Sequence, residues 1–253
     1  MANKRSSLFV KLLIDLFSGA FAAFSVTPII LAVDKAVVQN MSGQDSIISS
    51  LYSTLNEMVQ SPMDFIQTKQ FLWVFLVYSS TYISANSITT LCARLKINNI
   101  VPKLIGVSAV NIYCGILKDM AFARYFGKSN SDPVGQISKS IWLVRDILTI
   151  CAGFIVPDLM TKVLSNMGLS KTKGEKISQM VCPVLFQLFL TPIHLLGYDF
   201  HNNPNIDLLT RLFNIITVYK EVIGARFLRM GGAFGLGGIN NTMVKKNLNK
   251  IIG

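Results

Sequence analysis

Charge is scarce in this chain: Asp, Glu, Lys and Arg together make up 15% of its 253 residues. A soluble domain carries about 25%, so there are too few charges here to cover a water-facing surface. Hydrophobic residues supply 51%, mean hydropathy is +0.48, and no hydrophilic linker divides the sequence. A single membrane domain, 1–253, is the reading that fits. Cysteine is sparse as well. Cys92, Cys114, Cys151 and Cys182 lie far apart without a CxxC pair, which excludes a zinc ribbon or a disulfide framework. They read as buried free thiols, since a free Cys packs as a small hydrophobe. Only His194 and His201 could supply imidazole. No metal, cofactor or catalytic residue is expected, because no nucleophile–base set or ligand cluster occurs, and an enzyme is excluded. Acidic residues are outnumbered 13 to 24. The basic residues are split among four segments flanking apolar runs, with no aromatic-lined basic patch. Membrane lipids with anionic headgroups are therefore the expected partners, and nucleic acid is not.

Long apolar runs are what the chain does have. A membrane-spanning helix needs about 20 mostly apolar residues. The stretches Leu16 to Val33, Gln70 to Ala93 and Ile177 to Tyr198 carry no charge. Leu104 to Leu117 is shorter, Ile141 to Met160 holds Arg145, Asp146 and Asp158, and Leu212 to Val244 holds Lys220, Glu221, Arg226 and Arg229. These six spans predict an all-α membrane protein of six transmembrane helices. Charge sorts across them. The N-terminus, loops 94–103 and 162–176 and the C-terminus hold twelve cations against one anion, Glu175, whereas loops 39–69, 119–139 and 199–211 hold five cations against seven anions. Such loop asymmetry is a topology signal, and it puts both termini on the basic side. Ionisable residues inside spans face the protein interior and mark function; Asp15, Arg145, Asp146, Arg226 and Arg229 qualify. Arg226 and Arg229 are three apart and share a helix face. GGAFGLGG, from Gly231, follows no strand and is not a nucleotide loop. Its Gly231 and Gly235 are four apart, a spacing that suits close helix packing.

Two phrases repeat. TPIILAVDK begins at Thr27 and TPIHLLGYD at Thr191. Both place a Pro toward the end of an apolar run. A third candidate, GVSAVNIYCGILKDMAFAR from Gly106, puts Leu117 at the position of Pro28 and Pro192. Three units of two helices follow, at about 8–97, 98–165 and 175–245, and internal repeats point to an architecture of copied units. On these residues the chain resembles the mitochondrial carrier family, in a divergent branch with degenerate motifs. Its six helices would then form three two-helix pseudo-repeats, the mitochondrial carrier fold. The family's P-x-[DE]-x-x-[KR] keeps only Pro28 in the first copy, Asp119 in the second and Pro192 in the third. Ser18-Gly19 fits the family's small-Gly packing pair nine residues before the Pro. Tyr219-Lys220 matches the start of its lipid motif, which implies bound cardiolipin, with Glu221 replacing the Gly.

In a working carrier, ion pairs on the odd helices close a gate. Here only Asp119 survives of that ring, and the displaced pairs Asp34-Lys35 and Lys118-Asp119 are the substitutes. The resemblance therefore implies a mitochondrial inner-membrane, multi-pass protein with eroded gates. Its expected role is an accessory subunit of a membrane complex, such as a respiratory-chain complex, with integral membrane proteins as partners. The alternative is a divergent mitochondrial transporter of a small anionic metabolite. Carriers of the family contact substrate from their even helices, so Arg145, Arg226 and Arg229 would hold the anion and Asp146 would set selectivity. In the purely structural alternative Arg145 pairs with Asp15 or Asp146.

Overall fold

A computed structural model describes residues 7–128, 133–154 and 156–252; the side-chain surroundings of 153, 154, 158, 172, 176, 179, 180, 234, 235 and 252 lie outside that description. Among the described residues every regular element is helical. The elements are α1 (Leu8–Ser42), α2 (Ile47–Gln60), α3 (Pro62–Gln67), α4 (Lys69–Leu95), α5 (Ile100–Phe126), α6 (Gln136–Phe154), α7 (Val156–Asn166), α8 (Lys171–Leu185), α9 (Gln187–Asn202), α10 (Leu208–Met230) and α11 (Gly238–Ile252). A π-helical turn, Gly231–Gly237, joins the last two. The chain is an all-α membrane protein. Among the described residues two helices, α1 and α5, are long and apolar enough to cross a membrane by themselves. The other four sequence spans differ for local reasons. In α4, Ser79, Ser80, Thr81, Ser84, Asn86 and Ser87 dilute the apolar run. Arg145 and Asp146 interrupt α6. The fifth span is divided between α8 and α9 at Phe186, and the sixth runs through α10, the π turn and α11.

The chain packs as two compact units, each built from separate stretches. The first comprises residues up to Leu31, Glu57–Lys118 and Gly232 onward. Within it α1 approaches α4 at Gly19, where a Cβ would lie 2.7 Å from an Ile83 side-chain carbon and 2.8 Å from its backbone nitrogen. Only glycine allows that approach. Phe24, Phe65, Phe71 and Phe75 pack edge-to-face and stacked in one aromatic group. Asn111 Nδ2 donates to Thr81 Oγ1 at 2.9 Å, joining α5 to α4. The Tyr82 hydroxyl donates to the Ala233 carbonyl at 2.6 Å. Asn86 of α4 and Asn241 of α11 exchange side-chain hydrogen bonds at 2.7 and 3.1 Å.

The second unit comprises Ala32–Asn56 and Asp119–Gly231. Here α6 packs on α9, α9 on α10 and α7 on α8. Gly197 on α9 admits the Trp142 indole of α6; a Cβ there would overlap its Nε1. Trp142 and Phe122 are wholly buried and Tyr198 is nearly so. The turn from α9 to α10 is pinned by an ion pair between Arg211 and Asp199. Asp207 caps α10, its carboxylate accepting from Thr210 N at 3.0 Å.

The helices distribute polarity opposite to those of a water-soluble protein. On α1, Phe9, Leu13, Leu16, Phe17, Phe21 and Phe24 are exposed at helical spacing, while Asp15, Ser18 and Thr27 are completely buried. On α6, Val144 and Ile147 face outward while Arg145 and Asp146 are buried; on α10, Leu209, Phe213 and Ile216 face outward while Arg211 and Arg226 are buried. An outward apolar face over a buried polar one suits a hydrocarbon solvent. Buried hydroxyls return their protons to carbonyls one turn back, as Thr27 does to Ala23 O at 2.7 Å and Ser18 to Ile14 O at 2.7 Å.

Candidate substrate site

The second unit buries a polar cluster contributed by five helices. Its members are Asp34 of α1, Asp119 of α5, Arg145 and Asp146 of α6, Gln187, His194 and Tyr198 of α9, and Arg226 and Arg229 of α10. On α9 the polar residues Gln187, Thr191, His194 and Tyr198 recur at intervals of four, three and four, which places them on one helix face. That spacing was readable in the sequence as a polar stripe in an apolar run, and it is the signal that sequence reasoning missed.

Arg145 is the centre of the cluster. Its Nη2 lies 2.6 Å from Asp119 Oδ2 and 2.9 Å from Asp146 Oδ1, and its Nη1 lies 2.9 Å from His194 Nδ1. A guanidinium only donates, so Nδ1 accepts and the imidazole proton sits on Nε2. The Tyr198 hydroxyl donates to Asp119 Oδ1 at 3.3 Å, and the Trp142 indole donates to the His194 carbonyl at 3.4 Å. His194 stands edge-on to Tyr198 with ring centroids 4.9 Å apart. Arg145 and its carboxylates are thus fixed by oriented, charge-assisted bonds, the strong class of hydrogen bond.

Two other arginines join the cluster from α10. Arg229 Nε lies 2.7 Å from Asp34 Oδ1. Arg226 is 2% exposed, and its Nη2 donates to the neutral Gln187 Oε1 at 3.2 Å. Among the described residues no carboxylate reaches ion-pair distance of Arg226, and its Nε has no hydrogen-bond partner; the same holds for the buried hydroxyl of Thr191. A buried guanidinium met only by an amide is costly unless another partner joins it.

The sequence-derived candidates are distributed as follows. Arg145, Asp146, Arg226 and Arg229 all come into this cluster, together with Asp34 and Asp119. Asp34 pairs with Arg229 and Asp119 with Arg145. Lys35 lies 5.8 Å from the centroid of the Phe126 ring, and Lys118 is buried. Asp15 pairs with Lys245 at 2.6 Å in the first unit, and of the two acids expected for it Arg145 takes Asp146. Pro28 lies inside α1 and Pro192 inside α9. Tyr219 donates to the Leu188 carbonyl at 3.0 Å, and Lys220 is exposed. Gly19 packs on Ile83, Gly231 has nothing within 4 Å of an added Cβ, and the surroundings of Gly235 are outside the described set. Asp199, Arg211 and Lys245, counted as loop charges, are paired and largely shielded instead. Among the described residues no group of three His, Cys, Asp or Glu side chains could hold a metal ion.

A family profile described as "Probable citrulline exporter" matches residues 18–249, nearly the whole chain. The chain belongs to the probable citrulline exporter family. No curated protein sequence matches it. The match overturns the resemblance to mitochondrial carriers. Of the residues in the supposed motif copies, Asp119 and His194 both contact Arg145. It overturns the accessory-subunit reading too, since the family is described as one of probable exporters, and with it the respiratory-chain partner. A membrane protein stands; the mitochondrial inner membrane has no support.

Proposed function

We propose that this chain carries citrulline, or a zwitterionic amino acid of similar shape, out across a membrane through the polar cluster of its second unit. The observation that carries this is the unequal pairing within that cluster. Arg226 is buried against a neutral amide, while Arg145 is held by two carboxylates. An amino-acid zwitterion brings a carboxylate and an ammonium on one carbon. The carboxylate suits Arg226, whose planar fork matches it bidentately. The ammonium suits Asp119 or Asp146, taking the place of one bond from Arg145. A zwitterion leaves the formal charge of the cluster unchanged, so both ions stay paired in a low-dielectric site. A plain anion would satisfy Arg226 and repel the carboxylates, so the zwitterion is the better fit. Gln187 and the Thr191 hydroxyl offer neutral hydrogen-bonding groups for a ureido side chain.

Six crossings complete the reading. The loop charges still sort when the paired Asp119, Asp199, Arg211 and Lys245 are left out, and the outward apolar faces of α6 and α10 agree. Lipid contact at Tyr219-Lys220 belongs to the same proposal. The test is efflux of labelled citrulline from liposomes holding the purified protein. Removing one member of a buried charge pairing costs about 2–5 kcal/mol, so Arg226→Gln should slow efflux by roughly 30-fold or more. Wild-type efflux with an equally active Arg226→Gln refutes the site. Efflux of a solute with net charge, with none of citrulline or another zwitterionic amino acid by wild type, refutes the substrate.

A further inference from the structure

The first unit contains a second charged concavity, separate from the cluster above. Its residues come from three helices at helical spacing. Lys11 and Asp15 are four apart on α1, Lys245 and Asn249 four apart on α11, and Arg94 and Lys96 close the end of α4. Together with Leu8, Thr89, Thr90 and Ala93 they line a cleft of about 500 Å³. Its one acid is already engaged. Asp15 is fully buried, pairs with Lys245 at 2.6 Å and accepts a hydrogen bond from Thr90. Lys245 Nζ also reaches the Asn86 carbonyl at 3.4 Å. Lys11, Arg94 and Lys96 remain, exposed, with no carboxylate in ion-pair distance among the described residues.

Three cations converging on one cleft repel one another. The carboxyl end of α4 offsets part of that, but a helix terminus carries only about half an elementary charge. An anion of at least one full charge, with several acceptor oxygens, resolves the remainder. The helices beside the cations carry outward apolar side chains: Phe9 and Leu13 on α1, and Leu91 and Leu95 on α4. Such a flank accommodates hydrocarbon next to a bound headgroup. We propose that this cleft binds a phosphate-class anion, supplied as the headgroup of an anionic phospholipid, with Lys11, Arg94 and Lys96 as its ligands. Each cation near a membrane surface contributes about a fivefold factor in affinity.

The test is native mass spectrometry and melting of the full-length protein in neutral detergent. Short-chain phosphatidylglycerol, short-chain phosphatidylcholine and inorganic phosphate are titrated separately. Phosphatidylglycerol should bind and raise the melting temperature, and K11Q/R94Q/K96Q should weaken it by roughly 100-fold, three such factors combined. The charge-matched control K171Q/K246Q/K250Q, all exposed residues outside the cleft, should stay within about threefold of wild type. Should the triple variant fail to fold, the single variants R94Q and K96Q carry the same test at about fivefold each. Protection by inorganic phosphate with no further gain from phosphatidylglycerol keeps the site and overturns its lipid source. No binding, equal binding of phosphatidylcholine, or equal loss in the control overturns the proposal.

Discussion

Replacing Arg211 by Met tests whether the charge buried at the α9–α10 turn stabilises the fold. Arg211 and Asp199 side chains are 2% and 1% exposed. Arg211 also donates to the Asn203 carbonyl at 2.8 Å and lies 3.8 Å from the centroid of the Phe200 ring. Breaking a buried pair from one side costs about 3–5 kcal/mol, because the remaining charge is left uncompensated. Met retains much of the contact with Phe200, so about 4 kcal/mol is a fair central figure. For a chain of this length each kcal/mol moves the melting temperature by about 2–4 °C. R211M should therefore melt about 8–16 °C below wild type in detergent. Adding Asp199→Asn removes the stranded charge while leaving an oxygen to accept from Asn203 Nδ2, now 3.0 Å from Asp199 Oδ1. The double variant should regain more than half of the loss, as a coupled pair does in a mutant cycle. A single variant within about 3 °C of wild type, or a double no better than the worse single, would refute the reasoning.

Gly197→Ala should lower the melting temperature through the forced contact with Trp142. Overpacking costs about 1–3 kcal/mol, and W142L/G197A should melt above W142L with Gly197→Ala penalty removed, whereas a neutral Gly197→Ala would argue against the tight α6–α9 approach. Asp207 gives a pH test. Hydrogen bonds from the Thr210 side chain and backbone hold its carboxyl below the ordinary carboxylate range. A depressed value in the folded state adds stability above the unfolded pKa, and that stability is lost as pH falls through the folded one. The melting gap between wild type and Asp207→Ala should be constant near neutrality and close in acid; a gap that widens in acid contradicts the cap.

The sequence showed the charges inside spans more clearly than their partners. Asp15, Arg145, Asp146, Arg226 and Arg229 stood out because an ionisable side chain in an apolar run is conspicuous. Arg145 and Asp146 are adjacent, so that pair was foreseeable. Asp119–Arg145 and Asp34–Arg229 were not, because each joins two different helices, and spacing along one helix does not reveal a partner on another. Lys245, Asp199 and Arg211 were read as loop charges because they lie at the edges of apolar runs, where hydropathy cannot separate a solvated residue from a buried pair. The family assignment failed for a related reason. A six-residue motif that keeps one residue per copy matches many apolar helices, and a Pro near the end of a membrane helix is common. Helicity and membrane character were legible because they follow from composition and run length.

Trp142 sits where a change in the cluster would be visible. The chain has two tryptophans, and the other, Trp73, lies on α4 in the first unit. Trp142 is wholly buried, its ring centroid is 5.0 Å from that of Tyr198, and its indole nitrogen donates to the residue whose imidazole holds Arg145. With Trp73 replaced by Phe, the indole emission of the protein would come from a ring joined to the charge centre through His194. Solute arrival, rearrangement of the arginines or entry of water would each alter that emission, so the molecule already contains an optical reporter of its own polar interior, without an attached dye.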